Sequence, residues 1–216
     1  MLIEQPPRLY RALFRGAIWR KPANEKCVYL TFDDGPIPNI TPWVLDTLAG
    51  FGIQATFFCV GDNVARHPHL YDAILSAGHS VGNHTFNHLQ GLRTRTSDYI
   101  ANVEKAARHI RSSLFRPPHG HLRLRQTAAL RKQYSIIMWD VVTRDYSPHV
   151  SPADVFRNVR RYTRNGSIIV FHDSLKAERN MKAALPHSIE WLLGQGYCFR
   201  ALDAGAGSRP APGLCP

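Results

Sequence analysis

The sequence predicts an α/β fold, a largely parallel sheet with helices outside it, and three observations carry the prediction. Short apolar runs alternate with helix-like segments along most of the 216 residues, the order that a strand–helix–strand chain requires. One of these runs, Ala55-Thr-Phe-Phe-Cys-Val60, is apolar throughout and bounded by glycines, as expected for a parallel strand covered on both faces. Finally, Asp33-Asp34, His84, Asp140 and His172 all stand at the C-terminal ends of predicted strands, the rim at which parallel α/β folds bind ligands.

The elements follow in order. Residues 8–20 read as a basic helix in which Leu9, Tyr10, Leu13, Phe14, Ile18 and Trp19 alternate with arginines, and Pro22 ends it. The first strand enters the core over 27–32. A helix is expected over 42–49, with Thr41 as its N-cap and Gly50 or Gly52 at its end. After the strand at 55–60, a helix over 68–77 stops at Gly78, and a third strand at 79–83 runs into His84. Helices over 97–113 and 122–133 precede a strand at 135–139. Ser151 caps a helix to about 163, a strand at 167–171 ends at His172, and a helix spans 178–193 despite Pro186. A last strand occupies 197–202, and the Gly-, Pro- and Ala-rich remainder is expected to be disordered. The organisation is therefore a basic N-terminal helical extension at 1–25, one domain at 26–203 and a tail at 204–216.

Composition bounds the function. A chain of 216 residues holds one sizeable core and is short for two. No apolar run is long enough to span a bilayer, and the N-terminus lacks the basic and apolar regions of a secretory signal. Cys27, Cys59, Cys198 and Cys215 are scattered, which argues against a zinc knuckle and for reduced thiols, with Cys27 and Cys59 packing as small hydrophobes. A cytoplasmic or inner-membrane-associated monomer is expected. The net charge of +11 suits either a polyanionic partner or a solvated basic surface; without a nucleic-acid motif, the second is preferred. The N-terminal helix could lie on an anionic membrane, although such a helix more often caps its own domain.

Chemistry concentrates around Thr31-Phe-Asp-Asp-Gly-Pro36. Two adjacent carboxylates are costly to bury unless a cation accompanies them. Arg116 is one candidate and a metal ion another. His84 and His88, four apart, share a face if their segment turns helically. With one carboxylate they make a set of two nitrogens and one oxygen with open positions, which is catalytic rather than structural coordination. The set suits zinc, with cobalt, nickel or manganese as alternatives. Each residue also has a plainer reading: Asp33 and Asp34 as helix caps, Arg116 as a surface arginine, His172 and Asp173 as a solvated pair. Those readings would have to hold at every position together.

Five motifs occur in order: Thr31-Phe-Asp-Asp-Gly-Pro36, His84-Thr-Phe-Asn-His88, Arg116-Pro-Pro-His-Gly120, Trp139-Asp-Val-Val-Thr-Arg-Asp-Tyr146 and Val170-Phe-His172. In this order and spacing, over residues 27–202, the chain resembles the polysaccharide deacetylases of carbohydrate esterase family 4. The resemblance implies a distorted (β/α) barrel with fewer than eight strands and a metal site at its C-terminal rim. It implies a metal-dependent hydrolase that removes N-acetyl groups from a glycan (a chitooligosaccharide, peptidoglycan or a glycolipid precursor) and releases acetate. Asp34, His84 and His88 would hold the metal, Asp33 would be the general base, Arg116 its partner, and His172 the general acid. A backbone N–H near His119 would hold the oxyanion, and Pro117, His119, Gly120, Trp139 and Tyr146 would contact substrate. Three departures stand out. His119 replaces a usual Tyr, and Tyr146 a usual Trp. Val142 falls where an Asp commonly tunes the catalytic histidine, which leaves Asp140 or Asp145 to do so. His119 and His121 could also add a metal ligand. The alternatives are a hydrolase of another small non-peptide amide and an inactive sugar-binding module; retention of ligands, base and acid argues against the last.

Overall fold

Strand β1, Cys27–Asp33, is the axis of the computed structural model, which describes residues 4–22 and 24–202. The expected tail at 204–216 lies outside the described residues. The other strands are β2 (Thr56–Cys59), β3 (Ser80–Asn83), β4 (Leu114–Phe115), β5 (Ser135–Ile136), β6 (Val141–Val142), β7 (Ile168–His172) and β8 (Cys198–Phe199). They form one sheet in the order β5-β4-β3-β2-β1-β7-β6, with β8 paired to the start of β1. Every strand pairing described is parallel. The helices are α1 (Arg8–Leu13), α2 (Thr41–Gly50), α3 (Gly61–Arg66), α4 (Pro68–Ser76), α5 (Thr96–Ala107), α6 (Leu124–Leu130), α7 (Pro152–Tyr162) and α8 (Glu178–Gly194). The arrangement is the expected distorted barrel of fewer than eight strands along its path.

The apolar runs become central strands because both of their faces are covered. Val28, Leu30 and Phe32 are buried in one cluster with Phe57, Phe171 and Ile169, and the Phe32 and Phe57 rings stack 5.0 Å apart. Each such side chain contributes about 1.5–3 kcal/mol by leaving water. Register then does the positioning. Asp33 lies opposite Phe58 of β2 and opposite His172 of β7, so two neighbouring strands deliver a carboxylate and an imidazole to the same rim.

The N-terminal segment departs from its predicted form. The helix runs only to Leu13; Phe14 and Trp19 then turn inward and are buried with Phe115, Met138 and Trp139. Ile18 pairs with Ile137, Arg20 with Ser167, and the Val142 N–H donates to Glu4 O at 2.8 Å. Residues 4–20 thus fill the seam between β5 and β6, the two ends of the sheet path. An aromatic pair with no partner of its own is better buried in that seam than solvated, which overrides the continuous helix.

Several other expectations are corrected. Asp140 is at the opposite rim: its N–H donates to Ile168 O at the start of β7, four residues before His172. There it accepts from Arg11 Nη2 (2.7 Å), Arg164 Nε (2.9 Å) and Ser167 Oγ (2.8 Å). Burial works against its charge, but these donors hold its carboxyl below the usual range. Thr41 does not cap α2, whose N-cap is Ile40 without a side-chain bond. Its hydroxyl instead donates to Asp173 Oδ2 at 2.6 Å and accepts from Ile37 N–H. Cys27 is not a free thiol: it is disulfide-bonded to Cys198, which β8 places opposite it with 4.6 Å between Cα atoms. Cys59 is buried and free, as expected.

Candidate active site

Arg116 organises the site from beneath. It follows β4 directly and is fully buried, with its guanidinium 4.0 Å over the Phe58 ring. Nη1 donates to Asp33 Oδ1 at 2.6 Å and to Thr31 Oγ1 at 2.8 Å; Nη2 donates to Met138 O at 3.1 Å. A buried charge needs this complete a shell, because removing one partner strands the other. Asp33 is thereby kept next to a cation and aimed along its strand.

Asp34 is the second carboxylate, and the chain reverses at it with φ +83°. Asn63 Nδ2 fixes its carbonyl at 2.8 Å. Asp34 Oδ1 is 3.2 Å from His88 Nε2 and 3.7 Å from His84 Nε2. That oxygen is buried and has no hydrogen-bond donor, an expensive state for a carboxylate unless a cation completes it. Burial raises the Asp34 pKa, but His88, His172 and His84 together hold it well below the usual carboxylate range.

His84 and His88 meet without the helix that their spacing suggested. Thr85 and His88 take φ +65° and +57°, conformations uncommon for residues with side chains. Asn83 Oδ1 accepts from Thr85 N–H at 2.8 Å, and Thr85 Oγ1 accepts from Leu89 N–H at 3.0 Å, so the loop is tied to itself. Asn102 Oδ1 accepts from Phe86 N–H at 2.9 Å and ties it to α5. His84 Nδ1 lies 2.7 Å from Arg116 O. A carbonyl only accepts, so Nδ1 carries the proton and Nε2 keeps its lone pair toward Asp34. Burial lowers the His84 pKa to about 4, so this ring is neutral at pH 7. The ligand atoms of Asp34, His84 and His88 lie within 4.8 Å of one another. Two imidazole nitrogens and one carboxylate oxygen, the orphaned Oδ1 of Asp34, fit a divalent ion. His119 and His121 are outside this group, so the further-ligand expectation finds no geometric support.

His172 faces Asp33 across β1 and β7. Its partner is Asp145, not Val142 or Asp140: Nδ1 is 2.8 Å from Asp145 Oδ1, and the His172 N–H donates to Oδ2 at 2.8 Å. The fully buried Asp145 thus grips one residue through both oxygens. Burial opposes the imidazolium, yet Asp145, with Asp34 and Asp33 behind it, raises the His172 pKa to about 9. Val142 only lines the wall.

These groups share an open cavity of about 150 Å³. Asp33, Asp34, His84, His88 and His172 line it together with Pro117, His119, Trp139 and Tyr146. The Tyr146 ring sits edge-on to His172 at 4.7 Å, and the His119 ring lies 4.8 Å from that of His88. Gly120 supports the wall rather than lining it. Its φ is +70°, and a Cβ there would run into the Trp139 ring. Tyr10 Oη donates to Gly120 O at 3.1 Å. Two lining residues, Ser174 and Lys176, were not anticipated, nor was the fully buried Asp173 behind them. Asp173 Oδ1 accepts from Gly35 N–H at 3.0 Å, leaving no room for a Cβ at Gly35. Burial, with Asp34 nearby, raises its pKa to about 8. Its position next to His172 was the available signal.

Known proteins share this architecture. The family model for polysaccharide deacetylase matches residues 20–137, just over half of the chain. A peptidoglycan-N-acetylglucosamine deacetylase of Bacillus cereus is 32% identical over 195 residues, covering 84% of this chain and 88% of the relative. A chitooligosaccharide deacetylase of Bradyrhizobium is 36% identical over 157 residues, covering 68% of this chain and 71% of the relative. Among solved structures, the Bc1960 peptidoglycan N-acetylglucosamine deacetylase superposes with a TM-score of 0.81 at 28% identity, over 91% of this chain and 95% of that one.

Proposed function

The chain belongs to the polysaccharide deacetylase family, and on that premise we propose that it hydrolyses the N-acetyl amide of a glycan, leaving a free amine and acetate. The observation that carries the reading is the register of β1 against β7, which brings Asp33 and His172 to the same rim, in one cavity that Asp34, His84 and His88 also line.

Asp34, His84 and His88 would hold a divalent ion, with zinc the best match to their donor set. When bound, it supplies Lewis acidity to the acetamide carbonyl and to the attacking water. Asp33 takes a proton from that water, and Arg116 holds Asp33 in place through Nη1 at 2.6 Å. As the tetrahedral centre forms, the backbone N–H of His119 is the donor this segment offers the oxyanion, because residues 117 and 118 are prolines and the N–H groups of Gly120 and His121 donate to Pro117 O and Pro118 O. Collapse breaks the C–N bond, and His172 gives its Nε2 proton to the departing nitrogen, which otherwise leaves poorly. Nε2 is the free nitrogen, because Asp145 engages Nδ1. Trp139 and Tyr146 offer apolar faces to the sugar ring.

The test is acetate release from N-acetylglucosamine oligomers and peptidoglycan fragments, with the protein stripped of metal, restored with zinc, and carrying Asp33→Asn. Metal-dependent release abolished by Asp33→Asn supports the reading. No release from any N-acetyl sugar at full metal occupancy favours a hydrolase of another amide.

We also propose that the exposed side of α1 meets an anionic membrane surface. Supporting this, Leu9 and Leu13 on α1 are 82% and 62% exposed, with Arg8 and Arg15 next to them. The Cys27–Cys198 bond favours an oxidising compartment over the cytosol. Sedimentation with anionic but not neutral vesicles tests the first statement, and thiol counting on protein isolated from its native cells the second.

A further inference from the structure

We propose that Lys176 selects glycans that carry a carboxylate on the sugar next to the N-acetylated one. The inference rests on the deacetylase reading and deepens it. Lys176 lines the cavity from the segment between β7 and α8, four residues after His172. Both flanks of its backbone are fixed. Asp173 is 1% exposed and bound to Gly35 N–H and Thr41 Oγ1. Ala177 is fully buried, and its N–H donates to Ser174 O at 3.0 Å. One turn further on, Asn180 Nδ2 donates to Asp145 O at 3.0 Å and to Val150 O at 2.8 Å, which anchors α8 to the loop carrying the partner of His172. A flexible side chain is therefore mounted on a rigid base at the rim.

Its charge is uncompensated. Among the described residues, no carboxylate pairs with Lys176. Of the two carboxylates that line the cavity, Asp33 is held by Arg116 and Asp34 belongs to the group that fits a metal ion. An unpaired ammonium lining the same cavity as the Asp145-bound His172, beside a group that fits a divalent ion, adds positive potential that an anion arriving there would relieve. The cavity, at about 150 Å³, accommodates an acetamido group and little more of a chain. A neighbouring sugar must therefore lie over the rim, within reach of a four-carbon side chain. Carboxylate is the group that an ammonium there can bind by a charge-assisted hydrogen bond.

The experiment compares two otherwise identical oligomers of N-acetylglucosamine and N-acetylmuramic acid. One has a free lactyl carboxylate and the other has that group as a carboxamide. The readout is the ratio of their kcat/KM values for acetate release by the zinc-loaded full chain. The ratio is expected to fall threefold or more in Lys176→Ala, further in Lys176→Glu, and to recover in Lys176→Arg. It should also fall in the wild type between 50 mM and 500 mM NaCl, at about the strength of screened surface pairs. A change below threefold in both Lys176→Ala and Lys176→Glu overturns the proposal. So does a fall that Lys176→Arg shares with Lys176→Ala, which marks packing rather than charge. No release from either oligomer by the wild type overturns the deacetylase reading itself, and this inference with it.

Discussion

Replacing Asp145 with Asn should move the alkaline limit of activity. His172 goes from an ordinary 6.5 to about 9 in the fold, a preference for imidazolium of about 3.4 kcal/mol at 1.36 kcal/mol for each pH unit. Burial works against the charge, so Asp145, the first of the groups that raise the value, supplies more than its share of the net effect. Asparagine can still accept from Nδ1 at the present 2.8 Å, but it brings no charge. It also lacks the second acceptor that now takes the His172 N–H. A fall of the His172 pKa by roughly two pH units, to near 7, is expected. The acid must be protonated to act, so activity holds below its pKa and is lost above it. At pH 8 the imidazolium fraction would drop about tenfold, and kcat/KM with it. The assay is the pH profile of acetate release, beside a nitrogen-15 NMR titration of the His172 ring. Stability follows the same sign. A raised pKa stabilises the fold fully below 6.5 and ceases to as pH rises through about 9. The stability gap between wild type and Asp145→Asn should therefore be widest below pH 6.5. An alkaline limb left near 9, with a uniform loss of rate at every pH, would refute this account of Asp145.

Three further outcomes are expected. Chelation should lower the melting temperature and zinc should restore it, since a ligand at about a hundred times its Kd adds about 2.7 kcal/mol; an unchanged melting curve would speak against the site at Asp34, His84 and His88. Arg116→Ala should cost about 3–5 kcal/mol in denaturant unfolding by stranding Asp33 in the core, and Asp33→Asn in the same chain should recover part of that loss; a stable single variant would contradict the buried pair. Gly120→Ala should cost about 1–3 kcal/mol and shift tryptophan fluorescence, because the new methyl meets Trp139 at a positive φ; an unshifted spectrum with native stability would count against that contact.

Much of the fold is legible in local pattern. The runs around Leu30, Phe57 and Ile169 are apolar on both faces because the sheet is covered on both, and their ends marked the rim where Asp33, His84 and His172 gather. Short strands escape such reading. Leu114–Phe115 and Val141–Val142 are two residues each, too short for any periodicity, so the helical pattern of α5 runs on to 113 in the sequence and β6 leaves no signal there. Tertiary partners hide in the same way. A sequence separation of 171 conceals the pairing of Cys27 with Cys198. Asp145 could not be preferred to Asp140 until Ser167 and Arg164 were seen holding Asp140 at the other rim. Thr41 resembles a helix cap in sequence, but the buried Asp173 claims its hydroxyl.

The Cys27–Cys198 bond has a topological consequence. It converts the body of the protein into a covalent ring, from which the segment that fills the barrel seam hangs as a pendant arm. A single cut anywhere inside the ring leaves both pieces joined and migrating together on a non-reducing gel. A cut between the arm and Cys27 instead leaves the arm held by packing alone, with Phe14 and Trp19 free to leave their seat against Trp139. Limited proteolysis under non-reducing conditions therefore distinguishes damage that the ring can hold together from damage that unseats the wall of the active site.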